Sequence, residues 1–197
     1  MIKRLETAQE MKRKEKRRQY ALGIVLIVVL FGSVFGIIVN TFNSSSSDNP
    51  NQKLNYNGHV FEVFNGYYNT SIGNNVFYFS NSPNETDLVP VLTNFSRKIS
   101  SYSGKEVYIS SKSYPVYAEL AQNLNSFALR VQGACKSGEY CADKTLPLKT
   151  CSDNLIIVKN STINKIYEDN NCIYIEGNET DLLKLTDEFL LRELGIK

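Results

Sequence analysis

The sequence predicts an α/β or α+β domain built on a mixed β-sheet and carried outside the cell behind one N-terminal transmembrane helix. Three observations carry that reading. Residues 20–39 form an apolar run without a charged side chain. Residues 59–79 hold three β-branched and aromatic runs separated by turn residues, the pattern of an antiparallel meander. Beyond them, short apolar strands alternate with two stretches of helical apolar spacing, an order that lays helices on a sheet.

Residues 1–19 read as a basic cytoplasmic segment, with eight Lys and Arg against three Glu. A membrane-crossing α-helix needs about 20 apolar residues, and residues 20–40 supply them. Short basic flanks are retained in the cytoplasm, so everything after Asn40 faces outward. A cleaved signal peptide competes, but its apolar core is shorter and ends in a small-residue step that Gly36-Ile37-Ile38-Val39-Asn40 lacks. A pilin-type leader would want Lys-Gly or Arg-Gly ahead of the apolar run, where the chain has Arg18-Gln19-Tyr20. Gly32 and Gly36 form a G-x-x-x-G that lets two helices approach closely, or they are glycines of the kind common in membrane helices. The basic run at 12–18 is better explained by the adjacent span than by nucleic acid. Each such cation adds about 1 kcal/mol of attraction to anionic lipid.

Residues 41–52 are rich in Ser and Asn and form a flexible linker with a reach of roughly 20 Å root-mean-square. Residues 53–197 suffice for one compact outer domain. Past residue 19 the chain holds 14 basic and 17 acidic side chains, so this part is mildly acidic and carries no nucleic-acid footprint.

Strands are expected at 59–64, 67–72 and 76–79, with Asn65-Gly66 supplying the φ > 0 residues of a tight hairpin and Asn57-Gly58 preceding the first. Residues 87–101 suit a helix capped by Asp87, with Pro90 early and Val91, Leu92, Phe95 and Ile99 inward. Val107-Tyr108-Ile109 is a short strand. Ser113 and Pro115 then open a helix to about Gln132, on which Val116, Leu120, Leu124, Phe127 and Val131 share a face. Residues 155–158 are a buried strand, and 163–167 with 172–175 form a hairpin about Asp169-Asn170-Asn171. The closing helix spans 180–194, capped by Asn178 or Thr180, with Asp181 at its positive end and Gly195 as its stop. Its apolar stripe is Leu182, Leu183, Leu185, Phe189, Leu190 and Leu194, so it packs on the sheet as the second of two main helices.

Cys135, Cys141, Cys151 and Cys172 all lie in the outer domain, and an even number in an oxidising compartment reads as two disulfides. A metal site would want C-x-x-C-like pairs, whereas the intervening gaps here are five, nine and twenty residues. Cys151 and Cys172 each precede a strand and would meet at one sheet edge if those strands are parallel neighbours. Cys135 and Cys141 would then close the loop between, and the other two pairings stay open. Six N-x-[ST] sequons, at Asn43, Asn69, Asn84, Asn94, Asn160 and Asn178, mark candidate glycosylation sites.

No catalytic residue, metal ligand or cofactor site is assigned. The chain lacks G-x-S-x-G, the Walker phosphate loop, H-E-x-x-H and the dinucleotide fingerprint. Its sole histidine, His59, falls in a strand. Glu176, Asp181, Asp187 and Glu188 could be read as paired carboxylates for glycoside chemistry. However, Asp187 and Glu188 point to different sides of one helix, and Asp181 is accounted for by the helix start.

Several local strings carry a likeness. They are Tyr56-Asn57-Gly58 with Phe61, Tyr108-Ile109-Ser110, Ala134-Cys135 with Cys141 and Cys151, Asn171-Cys172-Ile173-Tyr174-Ile175-Glu176-Gly177, and Thr186-Asp187-Glu188-Phe189-Leu190 with Leu194-Gly195-Ile196. Through them the outer domain resembles membrane-anchored extracytoplasmic proteins of small-genome (DPANN-type) archaea. The resemblance implies the same anchored, disulfide-containing layout and no activity. More loosely, the ending looks like α/β units of archaeal surface-layer proteins and of the periplasmic subunit of cellulose synthase, a fold-level analogy. The expected function is therefore that of a single-pass envelope protein, more a binding or structural element than an enzyme. Its partners would be the membrane and an envelope protein or glycan. The alternatives are a subunit of a larger membrane complex or a homo-oligomer joined through Gly32 and Gly36, and an extracytoplasmic hydrolase of surface glycans or peptides.

Overall fold

The meander expected over 59–79 is present and starts one strand earlier. In the computed structural model, which describes residues 53–197, its strands are β1 (Lys53–Tyr56), β2 (His59–Phe64), β3 (Tyr67–Ile72) and β4 (Asn75–Phe79), all antiparallel. The basic segment, the apolar run with Gly32 and Gly36, the linker and the Asn43 sequon lie outside the described residues. Among the described residues no helix is long and apolar enough to cross a membrane. Asn57-Gly58 does more than precede a strand: φ values of 46° and 81° make it the turn between β1 and β2, and Asn65-Gly66 repeats the geometry at 51° and 78°. Phe61, Phe77 and Phe79 point from one face of the meander into the core.

A six-stranded mixed sheet forms the rest of the frame, in the order β5-β11-β12-β10-β6-β7. Its strands are β5 (Leu92–Asn94), β6 (Glu106–Ser110), β7 (Arg130–Gly133), β10 (Asn154–Asn160), β11 (Lys165–Asp169) and β12 (Cys172–Gly177). β7, β6, β10 and β12 run parallel, and β11 is antiparallel to β12 through a turn with Asn170 and Asn171 at φ 47° and 68°. A small parallel ladder, β8 (Cys135–Lys136) with β9 (Leu148–Lys149), lies in the cysteine-bearing loop. The domain is thus α+β, mostly strand, with three α-helices: α1 (Pro83–Asp87), α2 (Tyr114–Leu124) and α3 (Leu182–Glu193). Helices α2 and α3 bury Val116, Leu120, Leu124, Leu185, Phe189 and Leu190 in one cluster with Ile109, Ile156, Ile173 and Ile175 from one sheet face and with the meander phenylalanines.

Three expectations need correction. The helix from Ser113 ends at Leu124 rather than Gln132. Phe127 and Ala128 turn back onto the Leu124 carbonyl, and Val131 sits in β7 opposite Val107. Its apolar spacing fits a helix face, but the last two members reach the core through a turn and an edge strand. Asp87 does not open a helix; it ends α1, whose N-cap is Ser82 in a capping box with Glu85. Val91 and Phe95 still pack against the core, from irregular chain and not from a helix face, while Leu92 is exposed. Neither Asn178 nor Thr180 caps α3 with a side chain. Asp181 holds the N-cap position, and the Asn178 carbonyl takes the Asp181 and Leu182 amides.

Helix α3 stops as predicted at Gly195. With φ 75° its amide reaches the Arg192 carbonyl at 3.0 Å while Ile196 reaches that of Leu191 at 2.9 Å, a Schellman end. Gly177, closing β12, is where the sheet meets α3 most tightly. A Cβ there would stand 2.3 Å from Leu185 Cδ1 and 2.6 Å from Asn164 Oδ1. Gly177→Ala is expected to cost about 1–3 kcal/mol, the usual range for an overpacked core. It should be read as a lower urea midpoint at unchanged slope; an unchanged midpoint would mean that α3 yields freely.

Candidate functional site: buried carboxyls behind a basic cleft

Helices α2 and α3 carry an unusual number of buried polar side chains for core helices: Glu119, Asn123, Thr186, Asp187, Glu188 and Glu193. Three of them serve the free edge of β4 and the residues just after it. Asn123 accepts from the Tyr78 amide at 2.9 Å and donates to the Tyr78 carbonyl at 2.8 Å, replacing a neighbouring strand. Glu119 accepts from the Ser80 amide at 2.7 Å and from the Ser80 hydroxyl. Asp187 Oδ2 accepts from the Asn81 amide at 2.9 Å and side chain at 2.8 Å. Glu119 and Asn123 flank the apolar stripe of α2 one turn apart, which is the only sequence signal that could have singled them out.

Two carboxyl oxygens, Asp187 Oδ1 and Glu193 Oε2, are buried without a donor to accept from. Both become intelligible as protonated oxygens. Burial and then the neighbouring Glu119 push Asp187 well above the ordinary carboxylate range, so its Oδ1 proton can turn toward Glu119. Burial lifts Glu193 to about 8, against the opposing pull of Arg97 and the Tyr102 hydroxyl, which lies 3.3 Å from Glu193 Oε1. Tyr102, itself buried, is pushed upward by burial and then by Glu193.

On the outer side of this group lies a cleft of about 120 Å³. Its walls are Thr93, Ser96, the Phe95 ring and four cations: Arg97, Lys98, Arg192 and Lys197. Arg97 bonds Glu168 and the Asn171 side-chain oxygen. Arg192 Nε meets Glu188 at 2.7 Å. Lys197, nearly buried, meets Asp87 at 2.6 Å and also Glu188 and the Thr86 hydroxyl. Burial lowers the Lys197 ammonium, but Asp87 and Glu188 more than reverse this, so it stays charged. Among the described residues Lys98 has no carboxylate partner; its Nζ lies 3.5 Å from the Arg192 carbonyl. The cleft thus offers Lys98 and the outer guanidinium nitrogens of Arg192 to an incoming anion.

The second face of the six-stranded sheet buries Tyr108, Leu155, Ile157, Cys172 and Tyr174 under the cysteine-bearing loop. Tyr167 stacks on Tyr174 with centroids 4.8 Å apart. Burial and then Glu176 raise the Tyr167 hydroxyl to about 12.

The disulfides are Cys135–Cys141 and Cys151–Cys172, the latter joining the starts of the parallel neighbours β10 and β12. Asn84, Asn94, Asn160 and Asn178 are exposed, whereas Asn69 is half-buried in β3. His59 opens β2 opposite Tyr56 and does not line the cleft. The acidic residues singled out from the sequence do not converge. Glu176 bonds Tyr167 and Lys165, Asp181 bonds Asn164, Asp187 faces Asn81, and Glu188 faces Arg192 and Lys197. Among the described residues no group of three or more His, Cys, Asp or Glu is placed to hold a metal ion. No protein-family model matches the chain, and neither the curated proteins nor the solved structures contain a significant match.

Asp187 and Glu193 both bind protons more tightly folded than unfolded. Their contribution to stability is fully present below the unfolded carboxyl range near 4 and is lost as pH rises, for Glu193 through about 8. Unfolding free energy should therefore fall as pH rises from about 5 to about 8, by up to about 1.4 kcal/mol per pH unit for the Glu193 proton. Glu193→Gln should flatten that decline in urea titrations at a series of pH values. An equally steep decline in the variant would remove Glu193 as its source.

Proposed function

We propose that the chain is a single-pass membrane protein whose outer α+β domain binds an acidic polysaccharide of the cell envelope. The cleft would receive one carboxylate or phosphate group of that polymer. The apolar run at 20–39 and its basic flank support the anchored topology, with the N-terminus cytoplasmic. Two disulfides suit an oxidising exterior. The exposed sequons Asn84, Asn94, Asn160 and Asn178 suit a glycosylated one. The likeness to anchored archaeal outer-domain proteins belongs to the same reading.

The observation that carries the binding proposal is four cations around a cleft of about 120 Å³, one of them without a carboxylate partner among the described residues. That space is large enough for a carboxylate or phosphate group. The rest of the polymer would lie over the surface, with the cleft fixing its register by charge-assisted hydrogen bonds.

The purified full chain in detergent should be retained by immobilised polyuronate or polyphosphate-bearing glycan and not by neutral glycan of the same length. Salt should weaken retention. Lys98→Ala should lower affinity about tenfold, the order expected for one lost hydrogen bond to a charged group, and Lys98→Glu should abolish retention. Equal retention on neutral polymer, or indifference to Lys98→Glu, would rule out the cleft as the binding site.

A further inference from the structure

We infer that the tip of the β2–β3 hairpin dips into the outer surface of the membrane that anchors the chain. This inference rests on the anchored topology proposed above and on where two things meet in the meander.

The first is an exposed aromatic pair. Phe64 and Tyr67 face each other across the Asn65-Gly66 turn, paired in register, and are 65% and 48% exposed. The other large exposed apolar side chains outside the meander, such as Leu92, Tyr114, Leu129 and Tyr140, come from different strands, helix ends and loops. A two-residue turn is rigid, so the pair is presented as a fixed wedge and not as a mobile loop.

The second is the point at which the preceding chain enters. β1 runs antiparallel to β2 with Lys53 opposite Glu62, and Glu62 lies opposite Asn69 of β3. Val63 and Tyr68 form the next pair beyond Glu62 and Asn69, and Phe64 with Tyr67 at the tip is the one after it. Lys53, the first residue of the domain, therefore stands at the same end of the sheet as Phe64 and Tyr67. With strands about 4.8 Å apart and a rise of about 3.4 Å per residue, it lies roughly 12 Å from Tyr67. The opposite end of the meander, with the Asn57-Gly58 and Gly73-Asn74 turns, is the end remote from that entry.

Twelve residues, 41–52, separate the apolar run from Lys53, with a reach of roughly 20 Å. A tether that short, entering beside the wedge, holds the wedge close to the headgroups. Aromatic side chains of this kind settle at the boundary between headgroups and acyl chains, and tyrosine keeps its hydroxyl in the wet layer there. Lys53, ion-paired to Glu62 at 2.9 Å, adds a charge pair at the level of the headgroups.

The chain contains no tryptophan, so a single introduced one reports its own surroundings. Phe64→Trp and Tyr67→Trp would be compared with Tyr140→Trp, an exposed site on the cysteine-bearing loop, using the full chain in phosphatidylcholine vesicles with brominated acyl chains. The tip tryptophans should lose most of their emission to the brominated lipid and shift to shorter wavelength, while the one at 140 keeps both. Tip emission unquenched by lipid, in protein that stays with the vesicles through an alkaline wash, overturns this inference and leaves the anchored topology standing. Tip emission shielded from aqueous acrylamide yet unquenched by lipid also overturns it, since a protein surface then covers the wedge. Protein that leaves the vesicles in the alkaline wash overturns the anchor itself.

Discussion

The arrangement on which the rest depends is the closure of the β4 edge by side chains of α2 and α3. A strand at a sheet edge leaves alternate amides and carbonyls without partners, and burying them unpaired costs about 1–3 kcal/mol each. Here Asn123 returns both bonds of Tyr78, Glu119 takes Ser80, and Asp187 takes Asn81. The helices thereby act as a fifth strand for the meander while their apolar stripes cover the larger sheet. A rotation of α2 by one residue would withdraw Glu119 and Asn123 together, and one of α3 would withdraw Asp187. The polar contacts therefore fix the helical register more sharply than the apolar packing does, since Leu and Phe tolerate small shifts.

Using carboxylates for this purpose has a consequence. Backbone amides favour the charged form, but burial and the nearness of two acids favour the neutral one. Among the described residues Glu119 and Asp187 have no cation as a hydrogen-bond partner, and burial with Glu119 beside it pushes Asp187 well above the ordinary carboxylate range, toward its neutral form. One residue along α3 the solution is different. Glu188 points away from β4 toward Arg192 and Lys197, and ion pairing replaces protonation. Lys197 in turn bonds α1 through Thr86 and Asp87 and lies 5.6 Å from the Tyr56 ring of the first hairpin. The single helix α3 thus joins the meander and α1 by two different polar means while its apolar stripe packs on the larger sheet. The basic cleft lies beside the second of these.

What could be read in the sequence follows from which forces act locally. The Asn-Gly hairpins, the β10 run and the stripe and stop of α3 were legible because turn chemistry and short-range periodicity decide them. The Cys151–Cys172 link was one of the open pairings, expected only if the strands near the two cysteines are parallel neighbours, which they are. The end of α2 was not legible. Val131 keeps the helical spacing, and only its pairing with Val107 across twenty-four residues makes it a strand. The capping box at Ser82 and Glu85 was there to be read but was masked by the apolar residues after Asp87. The buried acids were beyond reach, because a polar residue beside an apolar stripe looks solvent-facing until its distant partner is known. Nor could the cleft be seen: Arg97, Lys98, Arg192 and Lys197 converge from two segments ninety-odd residues apart.

The two faces of the larger sheet are held by unlike means, and this ties the fold to its surroundings. On one side two helices bury a continuous apolar cluster. On the other the covering segment, 134–152, has only two-residue strands and shields a small cluster of six buried residues. Apolar burial of that extent does not offset the ordering of so long a loop. The two disulfides shorten the free chain, and lysine stems cover the ring faces. Lys149 stands 3.9 Å from the Tyr108 centroid, with Lys136 at 5.3 Å and Lys159 at 5.6 Å from that of Tyr174. A reducing compartment would remove the covalent part of that support and leave Tyr108, Leu155 and Tyr174 under a loop with little else to order it. The helix side would keep its own apolar and polar contacts. Dependence on an oxidising exterior is therefore confined to one face of the sheet, opposite the helices that carry the buried acids.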